Sequence, residues 1–225
     1  MKNININWII YSLVLIIIII VVFIFLPKSQ KEVDNDNLKS SFSSENEIEK
    51  YDILEGEKDA KLSLVVYENY LDPFSYELQK TLDMAKEEFG SDLLFIYRPF
   101  IKDSLDNINA NLMVICANEY DKGSSARQLI YSEGKENFSL NKINDYENQL
   151  SIKNNQLLTC MDNMEKENIV ESLQNQLESR SIYGSPTIVI NNEIITGARP
   201  YQDFVDSNGD SIDGLRSLII RHLNN

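Results

Sequence analysis

The chain has 225 residues, of which 43% are hydrophobic, enough to bury one core of ordinary domain size. Asp and Glu outnumber Lys and Arg by 35 to 21, so the formal net charge is -14 at pH 7. Because a surface this negative repels phosphate and offers no basic patch, we expect no binding to nucleic acid and no electrostatic attraction to anionic lipid.

The first predicted element is an apolar helix near the amino terminus. Residues 8–26 read WIIYSLVLIIIIIVVFIFL, with only Tyr11 and Ser12 as polar groups. As a helix this run is roughly 28 Å long, which matches the hydrocarbon thickness of a bilayer. A buried core helix rarely needs apolar residues on every face, and the small residues of a signal-peptide cleavage site are missing after Leu26. An uncleaved membrane anchor is therefore favoured over a cleaved signal peptide.

A polar segment follows this helix. Residues 28–48 are rich in Ser, Asn, Asp, Glu and Lys, a composition that cannot build a core. The sequence therefore predicts a transmembrane anchor at 1–27, a disordered tether at 28–48 and one folded domain at 49–225.

The cysteines, more than the flanking charges, indicate on which side of the membrane the domain lies. Lys2 on one side of the anchor competes with Lys28 and Lys31 on the other. Cys116 and Cys160 are the only cysteines, an even number that suits one bridge in an oxidising compartment. We predict a single-pass protein of the cell membrane, with its domain on the extracytoplasmic side.

The folded region begins with a strand, a helix and a second strand. The β-branched run LSLVVYENY, starting at Leu62, predicts a buried strand. Asp72 as N-cap and Pro73 at the first helical position predict a helix that ends at Gly90, and LLFIYR at 93–98 predicts the next strand. Strands joined by a helix in this way are normally parallel.

The rest of the domain is predicted to be helical before it returns to strands. Apolar residues recur at helical spacing over about residues 105–179, which predicts a helical insertion. A strand at 187–190, a tight turn at Asn191 and Asn192, an extended run at 193–196 and a last amphipathic helix follow. The order βαβ, helices, ββα is a three-layer α/β arrangement.

Three residue strings resemble the DsbA-like disulfide oxidoreductases of the thioredoxin superfamily. GEKDA at 56–60 resembles the family's lead into its first strand, and VYENYLDPFS at 66–75 resembles that strand and the active-site turn. YGSPTIVINNEIITGARPYQDF at 183–204 resembles the family's proline loop, hairpin and Gly-Ala-x-Pro-Tyr segment. The resemblance implies an α/β thioredoxin-like fold with a helical insertion, preceded here by one transmembrane helix.

The chain departs from this family at the reactive residues. The two cysteine positions of the family's active-site turn are Asp72 and Ser75 here. A thiolate is the nucleophile of disulfide exchange, and neither a carboxylate nor a hydroxyl forms or resolves a mixed disulfide. We therefore assign no catalytic residue and expect a degenerate, redox-inactive site. The plainest interpretation of Asp-Pro-Phe-Ser is a stable helix start, to which an Asp N-cap contributes about 1 kcal/mol.

The resemblance implies that a peptide-binding groove is retained. Pro186, preceded by Ser185, matches the family's cis-proline, beside which the backbone pairs with extended peptides. Phe74 would add apolar surface nearby. The alternative is a cis-proline that is kept only for folding.

The resemblance also implies a role for the two cysteines. Some DsbA-like relatives carry a second, structural disulfide in the helical insertion, and Cys116 and Cys160 resemble that pair; two free buried thiols are the alternative. With two cysteines and the single histidine, His222, neither a zinc site nor another cofactor is expected.

These observations favour a membrane-tethered binding module whose partner is an extended peptide or an envelope protein. Two alternatives stay open: oxidoreductase activity through Cys116 or Cys160, and a structural subunit of an envelope complex. A glutathione transferase of the kappa class is disfavoured, since the position of its working serine is Asp72 here.

Overall fold

The computed structural model of the protein describes residues 48–101 and 104–224. The predicted anchor at 1–27, and the predicted tether up to residue 47, lie outside these residues. Within the described part, none of the helices combines the length and the apolar character that crossing a bilayer requires.

A five-stranded mixed sheet forms the centre of the domain. Its strands are β1 (Ile53–Gly56), β2 (Leu62–Glu68), β3 (Leu93–Pro99), β4 (Thr187–Ile190) and β5 (Glu193–Thr196). Their spatial order is β1-β3-β2-β4-β5. Strands β2 and β3 are parallel, as predicted, and the other neighbouring pairs are antiparallel. A separate hairpin consists of β6 (Phe204–Val205) and β7 (Ser211–Ile212).

The helices pack around this sheet. They are α1 (Pro73–Phe89), α2 (Leu105–Asn118), α3 (Gly123–Glu133), α4 (Ile143–Leu150), α5 (Gln156–Asn163), α6 (Lys166–Ser179) and α7 (Leu215–Leu223). Helices α2 to α6 are the predicted insertion, and they lie between β3 and β4 in the chain. The described domain is thus α/β and thioredoxin-like, with the insertion that the sequence indicates.

The central strands are buried on both faces, which explains their continuous apolar sequence. Leu64 and Val66 of β2 belong to the larger core cluster, which includes residues of α1, α2 and α7. Val65 and Tyr67 alternate with them and pack in a second cluster with Leu177 of α6. This alternation follows from the two-residue period of a strand, and it fixes which residues of β2 and β3 face each layer.

Strand β1 was not predicted from the sequence. It has four residues, and Ile53 alone among them is buried, so the segment lacks the long apolar run that identifies β2. Its position is defined by antiparallel pairing with β3, in which Ile53 lies opposite Tyr97. Gly56 ends the strand with φ +116°, where a Cβ atom would lie 2.3 Å from the carbonyl oxygen of Leu93. The glycine is therefore required by a close backbone approach.

Candidate functional site

Helix α1 begins where the sequence predicts. The Asp72 carboxylate accepts a hydrogen bond from the backbone N–H of Phe74, with Oδ1 at 3.1 Å, and Pro73 occupies the first helical position. Asp72 is half-buried, and Ser75, one turn later, is completely buried. The two residues that match the family's cysteine positions therefore lie at a helix N-terminus, where the helix dipole favours negative charge.

Three side-chain oxygens are joined by hydrogen bonds at this helix start. Ser75 Oγ donates to Asp72 Oδ2 at 3.2 Å and lies 2.9 Å from Ser185 Oγ. Ser185 Oγ accepts the backbone N–H of Asn69 at 2.9 Å. One arrangement satisfies all of these groups: Asn69 donates to Ser185, Ser185 to Ser75, and Ser75 to Asp72. We call Asp72, Ser75 and Ser185 the oxygen triad.

The loop that carries Ser185 has a cis peptide bond between Ser185 and Pro186. Pro186 is buried, and its carbonyl oxygen accepts the backbone N–H of Gly197 at 2.7 Å. Thr187 begins β4 and donates its hydroxyl to the carbonyl of Gly184 at 2.8 Å. Ser185 thus lies opposite the start of α1, where its Oγ is 2.9 Å from Ser75 Oγ, and Pro186 follows it in the chain.

Three asparagines that were not among the predicted site residues support this arrangement. Asn69 Oδ1 accepts the backbone N–H of Leu71 at 3.0 Å and the side-chain amide of Asn107. Asn111 Nδ2 in turn donates to the carbonyl oxygen of Asn107 at 2.8 Å, and both of these α2 residues are buried. No local pattern marks the two helical asparagines in the sequence, because α2 carries other polar residues as well.

Large apolar side chains are exposed on the three segments that meet here. Phe74 is 59% exposed, Leu105 is 72% exposed and Tyr183 is 75% exposed. Phe74 adjoins Ser75, Leu105 lies two residues before Asn107, and Tyr183 lies two residues before Ser185. We call Phe74, Leu105 and Tyr183 the apolar rim. Of these three residues, Phe74 alone could be identified from the sequence, because exposure of an isolated apolar residue leaves no mark in the sequence.

A buried ion cluster lies at the end of β2, beside α1. The fully buried carboxylate of Glu68 accepts hydrogen bonds from Arg127 Nη2 at 2.8 Å, Tyr131 Oη at 2.9 Å and Gln79 Nε2 at 2.6 Å. Burial raises the pKa of Glu68 more than Arg127 and these hydrogen bonds lower it. Burial lowers the pKa of Arg127, but Glu68 and the neighbouring tyrosines together outweigh burial and raise the pKa above its ordinary value. The cluster therefore connects the end of β2 to α3 and to α1, the helix whose first turn carries Ser75 of the oxygen triad.

Cys116 and Cys160 form the disulfide that the resemblance implies, and it joins α2 to α5. Cys116 is buried, with its Sγ 3.7 Å from Met164 Sδ. Cys160 is half-buried, lies 3.7 Å from Glu119 Oε2 and lines a surface cavity of about 610 Å³. The bridge therefore belongs to the insertion, and within the described residues no hydrogen bond joins it to the oxygen triad.

The single histidine also lies apart from the triad. His222 Nε2 is 2.9 Å from Glu193 Oε2, and its Nδ1 is 3.1 Å from Asn191 Nδ2, so it connects α7 to the β4–β5 turn. In the part of the chain that the structure describes, His, Cys, Asp and Glu residues form no group of three or more that is placed to hold a metal ion.

Comparisons with solved structures agree with this architecture. A thioredoxin-like oxidoreductase from Silicibacter pomeroyi superposes with a TM-score of 0.61 at 14% identity, over 78% of this chain and 94% of that one. A periplasmic thioredoxin-like protein from Salmonella enterica gives 0.60 at 15% identity, over 84% and 98%. The thiol-disulfide exchange protein alpha-DsbA2 from Wolbachia pipientis gives 0.58 at 13% identity, over 86% and 98%. At such identities these similarities show the fold.

The family follows from the sequence itself. No curated protein matches the chain significantly, but the family model described as Thioredoxin matches residues 49–207, which is more than half of the chain. The matched region contains the sheet, the helical insertion, the oxygen triad and the cis-proline. The chain therefore belongs to the thioredoxin family, and its fold is that of the DsbA-like members with their helical insertion.

Proposed function

We propose that this chain is a redox-inactive binding protein of the cell envelope, anchored in the membrane, that holds extended peptides or partner proteins in the groove beside Pro186. One observation carries the proposal. The oxygen triad presents the Asp72 carboxylate and the Ser75 hydroxyl at the two positions where the family presents its reactive thiols. Since oxygen at these positions cannot enter thiol–disulfide exchange, binding is the family property that this site can retain.

The surroundings of the triad support binding. Exposed apolar patches mark interaction sites, and the apolar rim supplies three exposed apolar side chains, each within two residues of Ser75, Asn107 or Ser185. The loop at Ser185 is held by its bonds to Asn69 and Ser75, so its backbone is presented in one defined conformation. A pre-organised loop reduces the entropy that a bound peptide would otherwise lose in ordering it.

Two observations support a location outside the cytoplasm. The Cys116–Cys160 disulfide suits an oxidising compartment, and the similar protein from Salmonella enterica is periplasmic. The apolar run at residues 8–26 supplies the proposed anchor. Protease added to intact cells or spheroplasts should digest the domain, and complete protection until the membrane is lysed would contradict this location.

The binding proposal is tested with the full-length chain in mild detergent. We expect no catalysed reduction of insulin by dithiothreitol, together with photo-cross-linking to extended peptides. Phe74→Ser should lower the cross-linking yield severalfold, because it removes one side chain of the apolar rim. The matched control is Met84→Ser, which removes another exposed apolar residue of the same helix, 46% exposed, and should leave the yield unchanged. Turnover of insulin by the wild type, or no cross-link to any peptide, would contradict the proposal.

A second candidate function is thiol–disulfide exchange at the Cys116–Cys160 bridge, which is favoured by the open cavity at Cys160. Two features oppose it. An attacking thiolate would meet the carboxylate of Glu119 beside Cys160, and the departing Cys116 thiolate would form in a buried position next to Met164. Slow reduction of the bridge by dithiothreitol, accelerated severalfold by Glu119→Gln, would show that it is protected. Rapid reduction of the wild type would favour the second candidate.

A further inference from the structure

We infer that Asp72 makes the proposed groove selective for peptides that carry a basic residue, a Lys or Arg whose charged group pairs with the Asp72 carboxylate while neighbouring apolar residues contact the apolar rim. The inference rests on the proposed function, because it requires a peptide in the groove. It adds the chemical class of that peptide.

The Asp72 carboxylate can accept further hydrogen bonds. Oδ1 accepts one hydrogen bond from the backbone of Phe74, and Oδ2 accepts one from Ser75. An ionised carboxylate has about four lone-pair sites, so each oxygen can accept one further bond. Asp72 is half-buried, and its remaining sites are therefore available to a ligand at the surface.

Within the described part of the chain, Asp72 forms no ion pair. Among the described side chains, no Lys, Arg or His nitrogen lies within 4.0 Å of its carboxylate. Several other carboxylates that are at least partly buried in this domain are paired with a cation. Examples are Asp52 with Arg98, Glu55 with Lys86, Glu68 with Arg127 and Glu193 with Arg221. The fully buried Glu147 instead accepts the backbone N–H groups of Asn155 and Leu157, each at 2.7 Å. Asp72 thus differs from carboxylates whose partner is built into the fold.

Apolar surface lies beside the Asp72 carboxylate. Phe74 donates its backbone N–H to Asp72, so its exposed ring and the carboxylate lie together at the start of α1. Lys and Arg side chains have long apolar stems and a charged end, and they lie along apolar surface with the charge at its edge. A Lys or Arg therefore matches the combination of rim and carboxylate, whereas Glu or Asp would be repelled.

The net charge of the whole chain also favours a basic ligand. A formal net charge of -14 attracts basic partners over a longer range than any contact does, and it speeds their association at low ionic strength. The amide dipoles at the start of α1 act in the opposite direction, because they already stabilise the carboxylate and weaken its attraction for a cation. We therefore expect a moderate selectivity, a roughly fivefold lower Kd for a basic than for a neutral central residue, as for a partly exposed ion pair.

The test uses the full-length chain in mild detergent and three fluorescein-labelled peptides. The peptides consist of Val and Thr residues and differ only in the central residue, which is Lys, norleucine or Glu. Fluorescence polarisation should give the lowest Kd for Lys and the highest for Glu. Asp72→Asn should abolish the difference between Lys and norleucine, and the asparagine still caps the helix, so the fold is retained. Glu77→Gln, which removes an exposed charge from the same helix, should preserve the difference.

Each outcome is decisive. Equal Kd values for the Lys and norleucine peptides on the wild type would overturn the inference and leave the proposed function intact. Equal loss of selectivity in Asp72→Asn and Glu77→Gln would also overturn it, because the preference would then come from the general negative field. If none of the three peptides binds, the proposed function and the inference fall together. Circular dichroism of both variants verifies that they are folded.

Discussion

Two regions of the domain, the disulfide bridge of the insertion and the oxygen triad, differ in the polar and reactive groups that they leave available. The bridge between Cys116 and Cys160 joins two helices of the insertion and consumes both thiols. The oxygen triad at the start of α1 leaves part of the Asp72 carboxylate open beside an exposed apolar rim. Covalent stabilisation and the proposed surface recognition therefore involve different parts of this domain, although the thioredoxin family ordinarily places its reactive thiols at the start of this helix.

The largest expected effect comes from placing two cysteines at the start of α1. The double variant Asp72→Cys, Ser75→Cys should raise insulin reduction from background to steady turnover, because a thiol at the start of α1 is activated by the helix dipole. The wild type and the single variant Ser75→Cys serve as controls, since a lone second cysteine has no partner in this turn. A disulfide between positions 72 and 75 without any turnover would show that the supporting residues have also lost their function.

Removing the bridge should affect stability and leave binding unchanged. Cys116→Ala combined with Cys160→Ala should lower the free energy of unfolding by roughly 4 kcal/mol, as the chain-entropy account predicts for a loop of 44 residues. Urea denaturation measures this loss, and the peptide Kd should stay within twofold of the wild type. A large change in Kd would show that the insertion and the groove are coupled, which the separate contacts of the two regions do not predict.

Much of the fold could be predicted from the sequence, because it is encoded locally. Strand β2, the start and end of α1, strand β3 and the β4–β5 hairpin are each marked by a continuous apolar run, an N-cap, or a turn residue such as Asn191, whose φ is +52°. Strand β1 could not be predicted, since four residues with one buried side chain acquire strand conformation through pairing with β3.

The candidate site divides in the same way. Asp72, Ser75, Ser185 and Pro186 could be located because they occupy motifs whose order along the chain resembles a known family. Asn107 could not, because its role is a tertiary contact with the side chain of Asn69, 38 residues away. Such contacts depend on how α2 packs against the end of β2, and no local pattern encodes that distance.

Within the oxygen triad, a smaller effect tests how much the hydroxyls contribute to stability. Ser75→Ala should lower the free energy of unfolding by about 1 kcal/mol, because it removes a buried hydroxyl that bonds to both Asp72 and Ser185. The control is Ser132→Ala, which removes an exposed hydroxyl of α3. A loss for Ser75→Ala as large as that for removal of the disulfide would show that the triad serves mainly to hold the fold together.

The smallest expected effect is the response to acid. Protonation should weaken the ion pairs beside α1, whereas the disulfide bridge has no group to protonate and should be unaffected. Burial raises the pKa of Glu55, but its bond with Lys86 and the charges of Arg127 and Lys86 outweigh burial, so the net pKa is lowered. An acid whose pKa is lowered by folding stabilises the fold above its ordinary pKa, about 4.3, and this contribution is lost as the pH falls through the lower folded value.

The variant Glu55→Gln has no such group to protonate. It should therefore be less stable than the wild type at pH 7, and the difference in the free energy of unfolding should shrink steadily towards pH 3. Urea denaturation across this range measures the difference, with the exposed Glu57→Gln as the control that should show no such trend. A difference that stays constant with pH would mean that Glu55 contributes through packing, and the contrast between a charged α1 side and an uncharged bridge would then no longer explain the response of the domain to acid.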